Sequence, residues 1–271
     1  MQQGRSRFIV VLFRKICMFV PWLRPLLGKP IILILVRHAQ SVWNETVGGK
    51  IHIQSEDARQ HLEQFGGGAD HKLPITELGQ EQAIKAGKYL AQFQFWKIIP
   101  DIIIHSGYLR TAQTAQLIMH AYPLNIPMKA SLLWREREGG YTHSMIQSEV
   151  DEHLPFVNKY WKQLGGLFAR AAGGESLMDV IEHRIIPAFT ELNNNHAGQT
   201  VMVVTHGNTI RCCRVYLDQM ELEVAEHFLN EKSTVSENCG ITFYKYCPYL
   251  GRLTFHSYCD EGDYPKSLTS D

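Results

Sequence analysis

The chain has little of what would tie it to a polyanion, a metal or a bilayer core. Its 271 residues carry 27 Lys and Arg against 27 Asp and Glu. No basic block occurs in its body, which argues against nucleic acid as the main partner. The six cysteines, Cys17, Cys212, Cys213, Cys239, Cys247 and Cys259, form no CxxC pair and take no metal-ligand spacing with the histidines. No metal is therefore expected, and a reduced, cytoplasmic setting is the simplest reading. No apolar run is long enough to cross a bilayer, because Arg14 and Lys15 split the first one.

Acidic residues are missing altogether from Met1 to Lys29, where Arg5, Arg7, Arg14, Lys15, Arg24 and Lys29 interleave with FIVVLF and ICMFVPWL. Residues 1–30 are read as a basic apolar segment. It is expected either to make weak contact with a membrane surface, which would give a peripheral location, or to serve as an organelle-targeting segment, or to pack as a helix on the domain. At 45% apolar and 20% charged residues, the remainder has the composition of one α/β domain, placed at residues 31–258. A polar tail follows over 259–271.

What the sequence does have is a grammar repeated three times. Ile31 to Val36 is an unbroken apolar run rich in β-branched residues, closed abruptly by Arg37, His38, Gln40, Ser41 and Asn44. Such a run reads as a strand buried on both faces, with its polar residues at the C-terminal end where α/β sheets bind ligands. Asp101 to Ser106 followed by Arg110, and Thr200 to Gly207 followed by Asn208, repeat the pattern. Three such ends would bring His38, Arg110 and His206 together in a cationic pocket made for an anion.

Between these runs, Thr46 to Lys72 is polar and Gly-rich and is read as a mobile insertion at the pocket mouth. Thr76 is a candidate N-cap for a helix carrying Ala83, Ala86 and Leu90, with Gly79 allowing close packing. Asn238 to Tyr246 and Arg252 to His256 read as a closing strand pair.

The stretches RHAQSVWN, SGYLRTAQTA, LWREREGG, GGES and VVTHGNTIR, in that order from Ile31 to Phe255, resemble the histidine phosphatase superfamily, which includes phosphoglycerate mutases. The resemblance implies a three-layer α/β sandwich, with a mainly parallel central sheet flanked by helices and a cap insertion at about residues 141–172. It implies that Arg37, Asn44, Arg110, His206, Gly207 and Asn208 bind a phosphate group and that His38 attacks phosphorus. The proton donor is then a Glu four residues before a Gly, which fits Glu136 with Gly140 and leaves Glu138 as the competitor. Ala39 departs from the pattern, where Gly is commoner.

The implied activity is a phosphatase without cofactor, acting on a small phosphate monoester or a phosphoprotein. The alternatives are a phosphoglycerate mutase-type phosphotransferase and a non-catalytic binder of phospho-ligands. Oligomer formation stays open.

Overall fold

The computed structural model describes residues 2–50, 52–92 and 99–260. Its centre is the strand β1, Ile32–Arg37. Leu33 and Leu35 enter one core cluster and Ile34 and Val36 the other, all at zero exposure, which is why the run does not alternate. Each such side chain contributes about 1.5–3 kcal/mol relative to exposure.

Five further strands complete the sheet: β2 (Ile102–His105), β3 (Met128–Ala130), β4 (Thr200–Thr205), β5 (Ile241–Cys247) and β6 (Arg252–Cys259). Their order is β3-β2-β4-β1-β5-β6. The first four are parallel, and the β5–β6 hairpin runs antiparallel beside β1. The C-terminal ends of β2, β4 and β1 are therefore adjacent.

Helices cover both faces. Helices α4 (Glu77–Gln92) and α5 (Leu109–Met119) pack on one. On the other lie α8 (Leu177–Val180), α9 (Ile186–Asn195), α10 (Gly207–Leu217) and α11 (Leu222–Asn230). This is the expected three-layer α/β sandwich. Thr76 caps α4, its Oγ1 accepting from the Gly79 amide at 3.1 Å. A Cβ at Gly79 would stand 2.2 Å from the Gln40 carbonyl oxygen, so glycine there permits the helix to approach the loop after His38.

The segment expected as a mobile insertion is ordered by partners that its own sequence does not contain. After α2 (Val42–Val47) it forms α3 (Glu56–Glu63), capped by Ser55. Ile53, Leu62 and Leu73 then join Val42, Val47 and Ile146 in a small separate core. Ile53 pairs with Ile146, and the Gln147 amide donates to the Ile53 carbonyl at 2.8 Å. Arg59 bridges to Glu149 at 2.9 Å.

The insertion and the first part of the cap thus form one unit over the site. The rest of the cap follows as α6 (Gln147–His153) and α7 (Val157–Phe168), the latter against α11.

Helix α1 (Gln2–Phe19) and the turn after it pack on the main body through Cys17, Met18 and Leu27. Of the polar tail, only Cys259 and Asp260 belong to the described residues; 261–271 lie outside them. Among the described residues, no helix is long and apolar enough to cross a membrane, and no disulfide joins the cysteines.

Candidate active site

His38 follows β1 directly and is almost fully buried. Its Nδ1 lies 2.7 Å from the carbonyl oxygen of Ala39. A carbonyl can only accept, so Nδ1 carries the hydrogen and the lone pair is left on Nε2. The Ala39 amide donates to Thr114 Oγ1 at 3.0 Å, and the amide nitrogen of Asn238 donates to the His38 carbonyl at 2.9 Å. The residues on both sides of the imidazole are thereby fixed. Ala39 sits at zero exposure in the core, so its methyl is accommodated.

His206, at the end of β4, lies beside His38 with ring centroids 5.1 Å apart and is wired the other way. Its Nδ1 faces Arg110 Nη2 at 3.4 Å and its Nε2 faces Ser106 Oγ at 2.8 Å. Arginine cannot accept, so Nδ1 holds the lone pair and Nε2–H donates to Ser106. Ser106 donates onward to Thr111 Oγ1 at 2.9 Å, and Thr111 to the Tyr108 carbonyl at 2.8 Å. Each donor in this relay has one acceptor, which leaves a single consistent arrangement.

Both imidazoles are held well below the ordinary histidine value, first by burial and then by the charge of Arg110; Arg37 adds to both, and His38 itself to His206.

Arg37 donates from Nη1 to the Ser236 carbonyl at 2.6 Å, while its Nε is buried without a partner. Burial lowers its pKa from the arginine value, and the carboxylates of Glu136 and Glu237 are the largest counterweights. A Cβ at Gly207 would lie 3.6 Å from that Nε and 3.0 Å from Val235; the missing side chain keeps the guanidinium edge open. His206 supplies no side-chain cap to α10, so the first amides of that helix remain donors toward the same place.

Arg110, on the first turn of α5, is 5% exposed in its side chain and paired with Asp70 of the insertion, Nη1 to Oδ1 at 2.9 Å. The same nitrogen donates to the Asp70 carbonyl at 2.6 Å.

Asn44 serves the end of α2: its Oδ1 accepts from the Ser41 amide at 3.1 Å, the Ser41 hydroxyl at 2.9 Å and Asn238 at 3.3 Å. Its NH₂ is what remains to give a ligand. Asn208 turns its Oδ1 to Arg211 at 3.3 Å, along α10.

Glu136 is partly buried, and its Oε1 accepts from the Arg137 amide at 2.7 Å. The loop carrying it is clamped: Thr205 and Thr209 donate to the carbonyls of Trp134 and Arg135. Glu175, from the GGES stretch, binds Arg135 at 3.1 Å, Arg184 at 2.9 Å and the Glu138 amide at 2.8 Å. Arg184 comes from a π-helical turn, Ile181–Ile185. Glu138 is exposed.

Residues with no signal of their own in the sequence also reach this region. Asp70 is one. His143 stacks on Trp43 at 4.4 Å and lies 3.9 Å from Asp70 Oδ1. Arg137 lies over the ring of Trp161 from the cap, at 5.2 Å. Ser106 was visible only as the polar residue closing a strand. Among the described residues no group of three or more His, Cys, Asp or Glu is arranged to hold a metal ion.

A mixed six-stranded sheet whose parallel ends gather two buried histidines and two arginines defines a class of α/β fold that comparison identifies. The histidine phosphatase superfamily (branch 1) matches residues 33–254, and the chain belongs to that superfamily. It is 28% identical over 213 residues to the 2,3-bisphosphoglycerate-dependent phosphoglycerate mutase of Mycobacterium tuberculosis, covering 69% of this chain and 77% of the relative. To the corresponding mutase of Bifidobacterium longum it is 27% identical over 219 residues, 72% and 80% of the two chains.

Among solved structures it resembles a mycobacterial glucosyl-3-phosphoglycerate phosphatase in complex with VO3, with TM-score 0.57, 22% identity and coverage of 79% and 92%. It also resembles the α-ribazole phosphatase of Shigella flexneri, with TM-score 0.62, 17% identity and coverage of 83% and 94%.

Proposed function

We propose that the protein hydrolyses phosphate monoesters through a phosphohistidine on His38, with Glu136 as proton donor and no metal. The observation that carries this reading is the bond from His38 Nδ1–H to the Ala39 carbonyl. It fixes the tautomer whose Nε2 lone pair is free, in a pocket where burial first, and then the charges of Arg110 and Arg37, disfavour protonation of the ring.

The phosphoryl oxygens lie against Arg37, Arg110, His206, the Asn44 NH₂ and the first amides of α10 at Gly207 and Asn208. Placed in a dry site, such donors are worth far more than in water. Nε2 attacks phosphorus and the bond to the ester oxygen breaks, its electron pair leaving with that oxygen. Protonated Glu136 gives its proton to the leaving alkoxide. The positive charge that develops on the imidazole is stabilised by the Ala39 carbonyl. Water then attacks the phosphohistidine and Glu136 takes its proton. The P–N bond breaks, its electron pair returns to Nε2, and inorganic phosphate departs.

The test is a panel of phosphate monoesters assayed with and without chelator. Chelator-resistant turnover that His38→Ala abolishes supports the reading, and turnover that needs added metal contradicts it.

A second reading, phosphoglycerate mutase, is favoured by the mutase names of the relatives. Glu138 weighs against it, an exposed carboxylate two residues beyond Glu136 that repels an anionic acceptor. Incubation with 3-phosphoglycerate and a trace of 2,3-bisphosphoglycerate separates the two. Phosphate release outpacing formation of 2-phosphoglycerate supports the phosphatase, and isomerisation faster by about tenfold, a barrier difference of about 1.4 kcal/mol, supports the mutase.

A further inference from the structure

From Phe8 onward helix α1 is largely apolar, broken only by Arg14 and Lys15, and the domain uses one side of this part. Cys17 is buried and Met18 packs on the core, while Arg14 donates to the Pro248 carbonyl and Lys15 to Tyr249 on the β5–β6 turn. Phe8, Ile9, Leu12, Phe13, Ile16 and Phe19 recur at the spacing of the opposite face. All six are exposed, Phe8 at 70% and Phe19 at 82%, and Trp22 just beyond them at 79%. A contiguous apolar face of this kind marks a surface that something covers.

The charge around it says what. Residues 1–29 hold six basic side chains and no acidic one. With Lys and Arg equal in number to Asp and Glu over the whole chain, the remainder is net negative. A second copy would bring two such cationic segments together. An anionic lipid surface instead complements both the charge and the apolar face, with Trp22 and Tyr249 suited to the headgroup level.

The sheet fixes the orientation. The Gly198 amide donates to the Lys29 carbonyl at 2.8 Å, just before β4 begins. Tyr249 follows β5, whose Lys245 pairs with Ile32 at the start of β1. Helix α1 thus lies at the N-terminal edge of the parallel strands, whereas His38 and His206 lie at their C-terminal ends. We infer that α1 docks the protein peripherally on anionic membranes, with the catalytic crevice facing away from the lipid and toward soluble substrates.

Cosedimentation of the full chain with vesicles tests this, comparing pure phosphatidylcholine with phosphatidylcholine containing a minority of phosphatidylserine, at low and high salt. Binding should require phosphatidylserine and fall at high salt. It should drop at least tenfold in the pair Phe8→Ser with Phe19→Ser, and also in the pair Arg5→Ser with Arg7→Ser. Both variants should keep the wild-type turnover of a soluble monoester, which shows that they fold.

Wild-type turnover should not change when anionic vesicles are added; a loss would overturn the orientation. Absence of vesicle binding, or equal binding to neutral vesicles, would overturn the docking. Sedimentation equilibrium showing a dimer that Phe8→Ser with Phe19→Ser abolishes would assign the face to a second copy instead.

Discussion

The ends of β1 and β4 carry two buried histidines whose pKa values are both pulled well down, by burial and then by Arg110 with Arg37 adding to it, yet they are wired oppositely. At β1 the imidazole hydrogen is tied to the chain's own backbone at Ala39, and the other nitrogen is left free. At β4 the hydrogen is tied to a two-hydroxyl relay, Ser106 to Thr111, that ends on the Tyr108 carbonyl, and the lone pair is turned to Arg110. On the proposed mechanism, it is therefore the hydrogen-bond partner and not the burial that distinguishes the nucleophile. That mechanism gives the attack to His38 and places His206 between a cation and the ligand.

Replacing each partner should break this asymmetry by different amounts. The largest effect is expected from His38→Ala. Removing a nucleophile costs about ten-thousandfold in kcat or more, whereas His206→Ala should leave a slow but measurable adduct. Comparable residual rates in steady-state assays of the two variants would erase the distinction.

Next is Glu136→Gln. Because both imidazoles are held neutral, neither can protonate the leaving oxygen, and loss of a general acid costs about a hundredfold to ten-thousandfold. The loss should be large with alkyl phosphates and small with p-nitrophenyl phosphate, measured as kcat for each. A greater loss from Glu138→Gln would move the assignment to that residue.

The third effect is on stability. The unfolded chain titrates His38 and His206 near 6.5, and the folded chain does so well below. As pH falls through 6.5 the unfolded state therefore binds more protons, and stability declines until the lowered folded values are reached, by at most about 1.4 kcal/mol per pH unit for each group. Above 6.5 both states hold neutral rings and the effect vanishes. Chemical denaturation at pH 8 and pH 5.5 should show this decline, and His206→Gln should make it shallower.

Ser106→Ala is expected to cost about tenfold in kcat/KM, since it leaves the buried His206 Nε2–H without its acceptor, a penalty of about 1–3 kcal/mol. Ser106→Thr should restore part of the loss.

The smallest effect is Asp70→Asn. Asp70 pairs with Arg110, and on the proposed mechanism it competes there with the phosphoryl group. Removing its charge should tighten inhibition by inorganic phosphate roughly threefold to fivefold, the scale of a partly exposed ion pair. Weaker inhibition would mean that Asp70 positions Arg110 instead.

The strands and the two histidines were legible because each signal is local: an apolar run, then a polar residue at its end. Arg37, His38, His206 and Arg110 follow from that rule, and the GGES glutamate, read as structural, proves to clamp the Glu136 loop. What was not legible depends on contacts between distant segments. Asp70 meets Arg110 forty residues away and Ser106 meets His206 a hundred away, and neither spacing leaves a periodic trace.

The Gly-rich stretch after Thr46 looked mobile because its apolar residues are sparse. They find Val42 and Ile146 only once the chain has folded. The side-chain oxygen of Asn208 accepts from Arg211, a contact that a motif match does not reveal.

On the proposed mechanism the hydrogen on Nδ1 selects His38 Nε2 as the phosphoryl carrier. Rapid acid-free quench with ³²P-labelled substrate, followed by peptide mapping and phosphorus NMR of the trapped protein, tests it directly. An acid-labile, base-stable adduct is expected on Nε2 of His38, persisting in His206→Ala and absent from His38→Ala. An adduct on His206, or on Nδ1 of His38, would contradict it.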